Sequence, residues 1–377
     1  MLNLIKKEQV IPSLLRSPNI TSIYKNKGAK DDLDNERGIF VLSVVRSILD
    51  KMIYKDKYEE VDRSISDSQV GTRKRRNVRN HLFVIYGIQN YIRVNKNESV
   101  DLLLYNLEKC FDSEWTSDVM NDMYEACEVR DDKLSLMHEA NKEAFVAINT
   151  PVGQTKRARL LNIEMQGSVL GPIRCGAHID TIGKRSINAE LDMYVYKGTV
   201  TIPPLEMIDD IATITKCGLP SLQMNNYINR QVEMKKLRFN CSKCKKIHLG
   251  AKCLCCPTLY AHDSIIKESS LEKYVGDMIS EDCTVQKCLA FRVSKGIGII
   301  AQLMSLLAEV TLGVHYFEVA MQLRESIFLN GILFNTEVWY GLKEQDMKEL
   351  EHVDEMLLRK LMMAHRSTPK ESLYLPT

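Results

Sequence analysis

The segment Pro204-Leu-Glu-Met-Ile-Asp-Asp-Ile-Ala-Thr-Ile-Thr215 decides the reading of this chain. Asp209 and Asp210 stand side by side with apolar residues before and after them. Adjacent carboxylates in an apolar setting repel each other and resist burial, so they need a compensating cation. An apolar run of strand length, interrupted by Asp-Asp and then resumed, reads as a β-hairpin with the acids at its tip. A hard divalent cation such as Mg²⁺ is held by one or two carboxylates together with substrate phosphates. By itself the pair also fits a solvated turn, because turns favour aspartate.

Two upstream stretches extend the pattern. They are Met165-Gln-Gly-Ser-Val-Leu-Gly-Pro-Ile-Arg-Cys-Gly-Ala-His-Ile-Asp180 and, further back, Asp101-Leu-Leu-Leu-Tyr-Asn-Leu-Glu-Lys-Cys-Phe-Asp-Ser-Glu-Trp115. The order is an apolar strand ending in Lys-Cys-Phe-Asp, a Gln-Gly-x-x-x-Gly-Pro turn running into a helix, then Asp-Asp on a hairpin. This order resembles the palm of reverse transcriptases, most closely those of non-LTR (LINE-like) retrotransposons. The likeness runs from about Ile20 to the last residues. It implies an α+β right-hand polymerase with fingers over 1–98 and a helical thumb with the start of a connection over 281–377. Between them, 99–280 would form a palm of a small antiparallel sheet plus helices, with inserted finger elements. The implied activity is RNA-directed DNA polymerisation by two-metal nucleotidyl transfer with Mg²⁺. The implied partners are an RNA template, a DNA primer and deoxynucleoside triphosphates.

The resemblance makes Asp209 and Asp210 metal ligands and puts the first catalytic aspartate five residues before an aromatic. Counting back from Phe111 lands on Asn106. Asn keeps the shape of Asp but carries no charge, and only one of its terminal atoms can accept a metal. Losing a unit charge about 2 Å from a divalent ion weakens that ion severely. Glu108, two residues on, is on the same strand face by parity, but the chain should be turning there. Activity is therefore in doubt, and the alternative is a dead remnant that binds template-primer only. By the same resemblance Phe111 lies beneath the sugar, and Gln166 and Gly167 hold template and incoming base pair. Lys243, in Leu237-x-Phe-Asn-x-x-Lys243, faces the pyrophosphate. Met207 stands where an aromatic often precedes Asp-Asp. Lys27 and Arg37 are the candidates for the triphosphate, Lys as a point charge and Arg as a bidentate grip. Gln69, Arg73, Lys74, Arg75 and Arg76 form a Gln-x-Gly element and basic run that would meet the template. The run also fits a nuclear-localisation patch or a solvated basic face. Tyr274-Val-Gly-Asp-Met-Ile279 resembles the primer-grip element, with Val275 in place of Leu.

Composition is that of an ordinary globular chain. Among 377 residues 45% are hydrophobic and 27% charged, which argues against disorder. With 51 basic against 49 acidic residues, net charge is only +2, so a nucleic-acid footprint has to be local. Eleven irregularly spaced cysteines read as reduced thiols of an intracellular protein, cytoplasmic or nuclear. Cys241-x-x-Cys244 with Cys253, Cys255, Cys256, His248 and His262 raises structural zinc, but the second half lacks a Cys-x-x-Cys spacing. Zinc is not expected. No signal peptide is visible, and the apolar stretch 296–308 is shorter than a bilayer span, so no membrane is expected. Helical spacing recurs over 42–53, 82–92, 109–127, 222–234, 293–304, 316–333 and 342–363. Met347, Met356, Met362 and Met363 read as core. The chain starts directly at the fingers without an endonuclease, which suggests a fragment of a longer element polyprotein.

Overall fold

The computed structural model describes residues 1–26, 28–130, 132–160, 165–189, 191–251, 256–308 and 316–374. The protein is a mixture of helices and small sheets, divided into two compact units. The first comprises Met1–His81, Val100–Lys246 and Cys253–Glu268, and the second Leu82–Ser99, Ile247–Lys252 and Ser269–Thr377. Residues 82–98 fall in the same compact unit as 269–377.

The strands used below are β1 (Asn19–Tyr24), β2 (Glu36–Val41), β3 (Ser99–Asn106), β4 (Phe145–Thr150), β5 (Leu205–Met207), β6 (Asp210–Lys216), β7 (Lys245–Gly250), β8 (Lys267–Glu268), β9 (Leu271–Tyr274) and β10 (Asp277–Ser280). The helices are α1 (Val44–Ser64), α2 (Val78–Val94), α3 (Thr116–Glu125), α4 (Leu170–Asn188), α5 (Leu219–Met234), α6 (Gln286–Ala308) and α7 (Glu344–Leu361).

The first unit is organised by a sheet in which β3, β6 and β5 lie in that order. Its centre is antiparallel: β3 pairs with β6 from Val100↔Lys216 to Asn106↔Asp210, and β6 pairs with β5. The interior of β3 is buried on both faces, which is why it reads as a continuous apolar run. Leu103, Tyr105 and Leu107 on one face share a core with Cys175, Ile179 and Ile182 of α4 and Met224, Ile228 and Val232 of α5. Those helical positions recur every three or four residues, so each helix turns one apolar stripe to the sheet. Pro172 sits in the first turn of α4, where its missing N–H costs no hydrogen bond.

A second sheet in this unit pairs β1 antiparallel with β2 and parallel with β4. Beside it α1 buries the ion pair Arg46–Asp50 at 2.6 Å. Arg46 also donates to the carbonyls of Leu15 (3.2 Å) and Ala140 (2.6 Å), and Asp50 accepts from the Ser168 hydroxyl at 2.7 Å. These bonds satisfy the buried charges and fasten α1 to the loop ahead of α4. The helix expected over 109–127 breaks instead into Cys110–Ser113 and α3, with extended backbone at Glu114 and Trp115.

In the second unit β9 and β10 form a hairpin whose two turn residues, Val275 (φ 40°) and Gly276 (φ 98°), are both left-handed, as the twist of a two-residue hairpin demands. Asp277, fully buried after that turn, accepts from Tyr86 Oη (3.0 Å), Trp339 Nε1 (3.1 Å) and the Arg292 guanidinium. Its helical core joins Ile300, Leu303 and Leu307 of α6 to Val353, Leu357 and Leu361 of α7. The apolar stretch of α6 is longer than the sequence suggested. The helix starts at Gln286 and spans 23 residues, long and apolar enough to cross a bilayer. Helix length therefore does not exclude a membrane span, contrary to the expectation from 296–308. The buried positions of α6, from Cys288 and Arg292 through Gly296, Ile300 and Leu303 to Leu307, follow the stripe of a core helix.

Candidate active site

The Asp-Asp segment is a hairpin with a two-residue turn, Ile208-Asp209, and Asp210 is the first residue of β6. Register sets Asp210 directly opposite Asn106, the last residue of β3. Asn106 Nδ2 donates to Asp210 Oδ1 at 2.8 Å. Ile208 carries φ 57°. A β-branched residue in the left-handed region is a backbone outlier that costs about 1–3 kcal/mol, so its surroundings must hold it there.

Gln69 does the holding. Its Oε1 accepts from Ile208 N and from Gly71 N, each at 2.9 Å. Its Nε2 reaches the carbonyls of Ile208 and Gly176 at 3.5 Å. On either side Val70 N donates to Glu206 O and Glu206 N to Ser68 O, both at 2.9 Å, so residues 68–70 run along the outer edge of β5. Gly71 has to be glycine for this approach, since a Cβ there would lie 2.5 Å from Ile208 Cγ1.

The two carboxyls share a poorly solvated corner. Burial and the neighbouring Asp210 push Asp209 up to about 6, against a backbone hydrogen bond and Lys243. Burial also raises Asp210, while the Asn106 amide and Lys243 pull it back. Lys243 is exposed in the turn before β7. That turn is anchored to the end of β3: Asn240 N donates to Asn106 O at 2.8 Å and Glu108 N to Arg238 O at 2.7 Å. Lys243 is thereby brought within electrostatic reach of both aspartates.

Asp209 and Asp210 offer the hard oxygen donors that Mg²⁺ takes, and burial is the first cause of the raised pKa of each. The Asn106 position does not match a two-ion site. Its amide N–H, a donor, meets Asp210 where a bridging carboxylate would bring negative charge. Glu108 is exposed in the turn after β3. The donor set fits one hard cation.

The remaining candidates are spread over the same unit. Phe111 is half-buried and packs on the core beneath the hairpin. Gln166 and Gly167 form the loop ahead of α4: Phe40 N donates to Gln166 O at 2.8 Å, and a Cβ on Gly167 would stand 2.6 Å from Phe40 O. Gln166 Nε2 reaches Asp112 Oδ1 at 3.4 Å. Arg37 is exposed on β2, and Lys27 lies outside the described residues. Gln69, expected at the template, is 0% exposed and committed to the hairpin turn, so its side chain has no face for a nucleic acid. Arg73 is likewise spent internally, on Asp62 Oδ1 (3.1 Å) and the carbonyls of Ser66 (2.7 Å) and Asp62 (2.8 Å). Lys74 pairs with Glu59 (2.7 Å) over the Tyr58 ring, and Arg76 pairs with Asp67 (2.5 Å). Arg75 is exposed with φ 61°. Of the zinc candidates, Cys241 donates to Ala261 O at 3.4 Å and Cys244 is buried, while Cys253 and Cys255 lie outside the described residues.

Two buried clusters were not read from the sequence. Asp122 of α3 receives Lys235 (2.6 Å) and His178 (2.7 Å). Against the cost of burial, those partners hold its carboxyl down at about 2. Cys110 and Cys175 stand 3.8 Å apart, with Cys110 donating to Glu114 at 3.5 Å. Although Cys175 pulls Cys110 down, burial and the acids Glu114 and Asp209 push it up to about 12. Nothing in a lone cysteine or histidine on an apolar stripe marks such partners in advance.

No protein-family model matches the chain, and no curated protein matches it. Solved structures do. Apo telomerase from Candida tropicalis aligns at TM-score 0.51 and 13% identity, covering 96% of this chain and 67% of that one. Telomerase from the same organism in complex with a TWJ fragment of telomeric RNA aligns at TM-score 0.51 and 14% identity, covering 98% and 66%. A C-terminally truncated apo form aligns at TM-score 0.48 and 13% identity over 74% of this chain and 57% of its own. The chain thus spans 57–67% of the length of these structures. At such identities the likeness is one of fold, and the fold is reverse-transcriptase-like.

Proposed function

We propose that this chain is a reverse-transcriptase domain of the non-LTR kind that grips a primed RNA template while nucleotidyl transfer is suppressed at position 106. The observation that carries this reading is the bond from Asn106 Nδ2 to Asp210 Oδ1, at the end of the β3–β6 pair and beside the turn that holds Asp209. Asp209 and Asp210 would hold Mg²⁺. When bound, that ion supplies charge stabilisation for an attacking hydroxyl and a leaving pyrophosphate. Asn106 withholds one negative charge from the centre and stabilises Asp210 by its own donor instead. In this reading Lys243 would offset pyrophosphate charge, Phe111 would pack beneath the sugar, and the Gln166-Gly167 loop would face the base pair. Arg37 and Arg75, both exposed, are the cations offered to phosphates.

The test is the affinity of the natural chain for an RNA template annealed to a DNA primer, measured by fluorescence anisotropy at several salt concentrations. Log K should fall linearly with log salt, by roughly 0.7–0.9 per phosphate neutralised. Absence of binding at low salt, or binding indifferent to salt, contradicts the reading.

A further inference from the structure

We propose that Gln69 is a positioning residue: its buried amide latches the Ile208-Asp209 turn and thereby sets where the Asp209 carboxylate stands. The inference rests on the reading of Asp209 and Asp210 as metal ligands, and it assigns Gln69 to the hairpin instead of the template.

Backbone conformation and hydrogen bonding converge on one residue, Ile208. Ile208 is left-handed at φ 57°, a conformation a β-branched residue does not choose by itself. Its N–H is claimed by Gln69 Oε1 at 2.9 Å and its carbonyl lies 3.5 Å from Gln69 Nε2, so one side chain addresses both polar groups of the strained residue. The same oxygen accepts from Gly71 N at 2.9 Å, which closes a small ring within residues 69–71 and fixes the amide's orientation. The carbonyl of Gly176 on α4 lies 3.5 Å from the same Nε2. Gln69 is therefore gripped by the helix behind it, and the turn is gripped by Gln69. Without the latch, Ile208 can relax to an ordinary backbone conformation and carry Asp209, the next residue, away from Asp210. Groups one shell out from a metal typically alter its affinity by about 10–100-fold when removed.

Glycine provides the discriminating rescue, because it occupies the left-handed region without strain and needs no latch. The experiment titrates Mn²⁺, followed by the electron paramagnetic resonance of the free ion, into Asn106→Asp and into Asn106→Asp carrying Gln69→Leu, Ile208→Gly or both. Affinity for the primed template is measured in parallel. Mn²⁺ affinity should fall about tenfold with Gln69→Leu and recover most of that loss when Ile208→Gly is added, with template affinity unchanged throughout. If Gln69→Leu does not fold, Gln69→Asn takes its place: it keeps the amide but is one methylene too short to reach Ile208. Unchanged Mn²⁺ affinity with weakened template binding overturns the latch in favour of a template contact. A loss that Ile208→Gly leaves unrepaired overturns it as well. The readout stands apart from polymerisation: if Asn106→Asp binds Mn²⁺ but extends no primer, the polymerase reading fails while the latch is still decided.

Discussion

Replacing Asn106 by aspartate should make the protein less stable and, at the same time, dependent on a divalent metal. The side chain now donates to Asp210 Oδ1 at 2.8 Å. Asn106→Asp removes a hydrogen bond to a charged acceptor, which is worth about 1.5–3 kcal/mol. It also faces two carboxylates across the strand pair, where charges about 4 Å apart repel by about 4 kcal/mol at an effective dielectric constant near 20. Part of that repulsion is relieved by outward rotation and by proton uptake, leaving a net loss of about 2–4 kcal/mol at neutral pH. For a domain of this size such a loss lowers Tm by about 4–16 °C. Mg²⁺ at a hundred times its Kd returns about 2.7 kcal/mol. Calorimetric melts of the natural chain and of Asn106→Asp, each with chelator and with Mg²⁺, read this directly. The expected pattern is a depressed Tm for Asn106→Asp in chelator, recovery with Mg²⁺, and a much smaller Mg²⁺ response in the natural chain. Equal stability in chelator, or equal responses to Mg²⁺, would refute convergence of these side chains on one ion.

Other substitutions probe the rest of the account. Asp209 has its pKa raised from 3.8 to about 6, so its contribution is fully present below about pH 4 and lost as pH rises through about 6. Unfolding free energy should fall by on the order of 2–3 kcal/mol across that window, and Asp209→Asn should flatten that slope in urea titrations. Arg73→Ala should cost about 2 kcal/mol of stability, because it takes the cation from Asp62 and a donor from each of two carbonyls. Arg75→Ala should leave stability alone and reduce the salt slope of template binding by about one. In the second unit Asp277→Ala leaves the buried Arg292 guanidinium unpaired and should cost about 3–5 kcal/mol by denaturant unfolding, far more than Trp339→Phe, which removes one of three donors.

The fold and the centre were legible in the sequence to different depths. Strand β3 and the Asp-Asp hairpin declare themselves because both are apolar runs ending in a polar residue, and the order of their motifs places Asn106 beside Asp210. Helix α4 was legible through the Gln-Gly-x-x-x-Gly-Pro turn that runs into it, whereas its stripe of Cys175, Ile179 and Ile182 emerges from the packing. Gln69 was not legible. It precedes a basic run, and no local pattern reveals that its amide turns inward to a residue 139 positions away. Arg73 misled through its neighbours in the run, although the acids that absorb it, Asp62 and Asp67, stand shortly before it in the chain. The break at Glu114 and Trp115 escaped periodicity because apolar spacing continues across it. The true start of α6 escaped for the opposite reason: charged Lys287 and Arg292 interrupt the hydropathy of a helix that continues through them.

On the proposed reading, one missing charge separates this chain from a working polymerase centre. Primer extension with Mg²⁺, on an RNA template with a DNA primer, tests it on three proteins side by side: the natural chain, Asn106→Asp, and Asn106→Asp with Asp209→Asn. The account predicts extension at or near background for the natural chain, a gain of orders of magnitude for Asn106→Asp, and loss of that gain in the double variant. A natural chain that extends as well as Asn106→Asp would contradict it, and so would an Asn106→Asp protein that binds the primed template and adds no nucleotide.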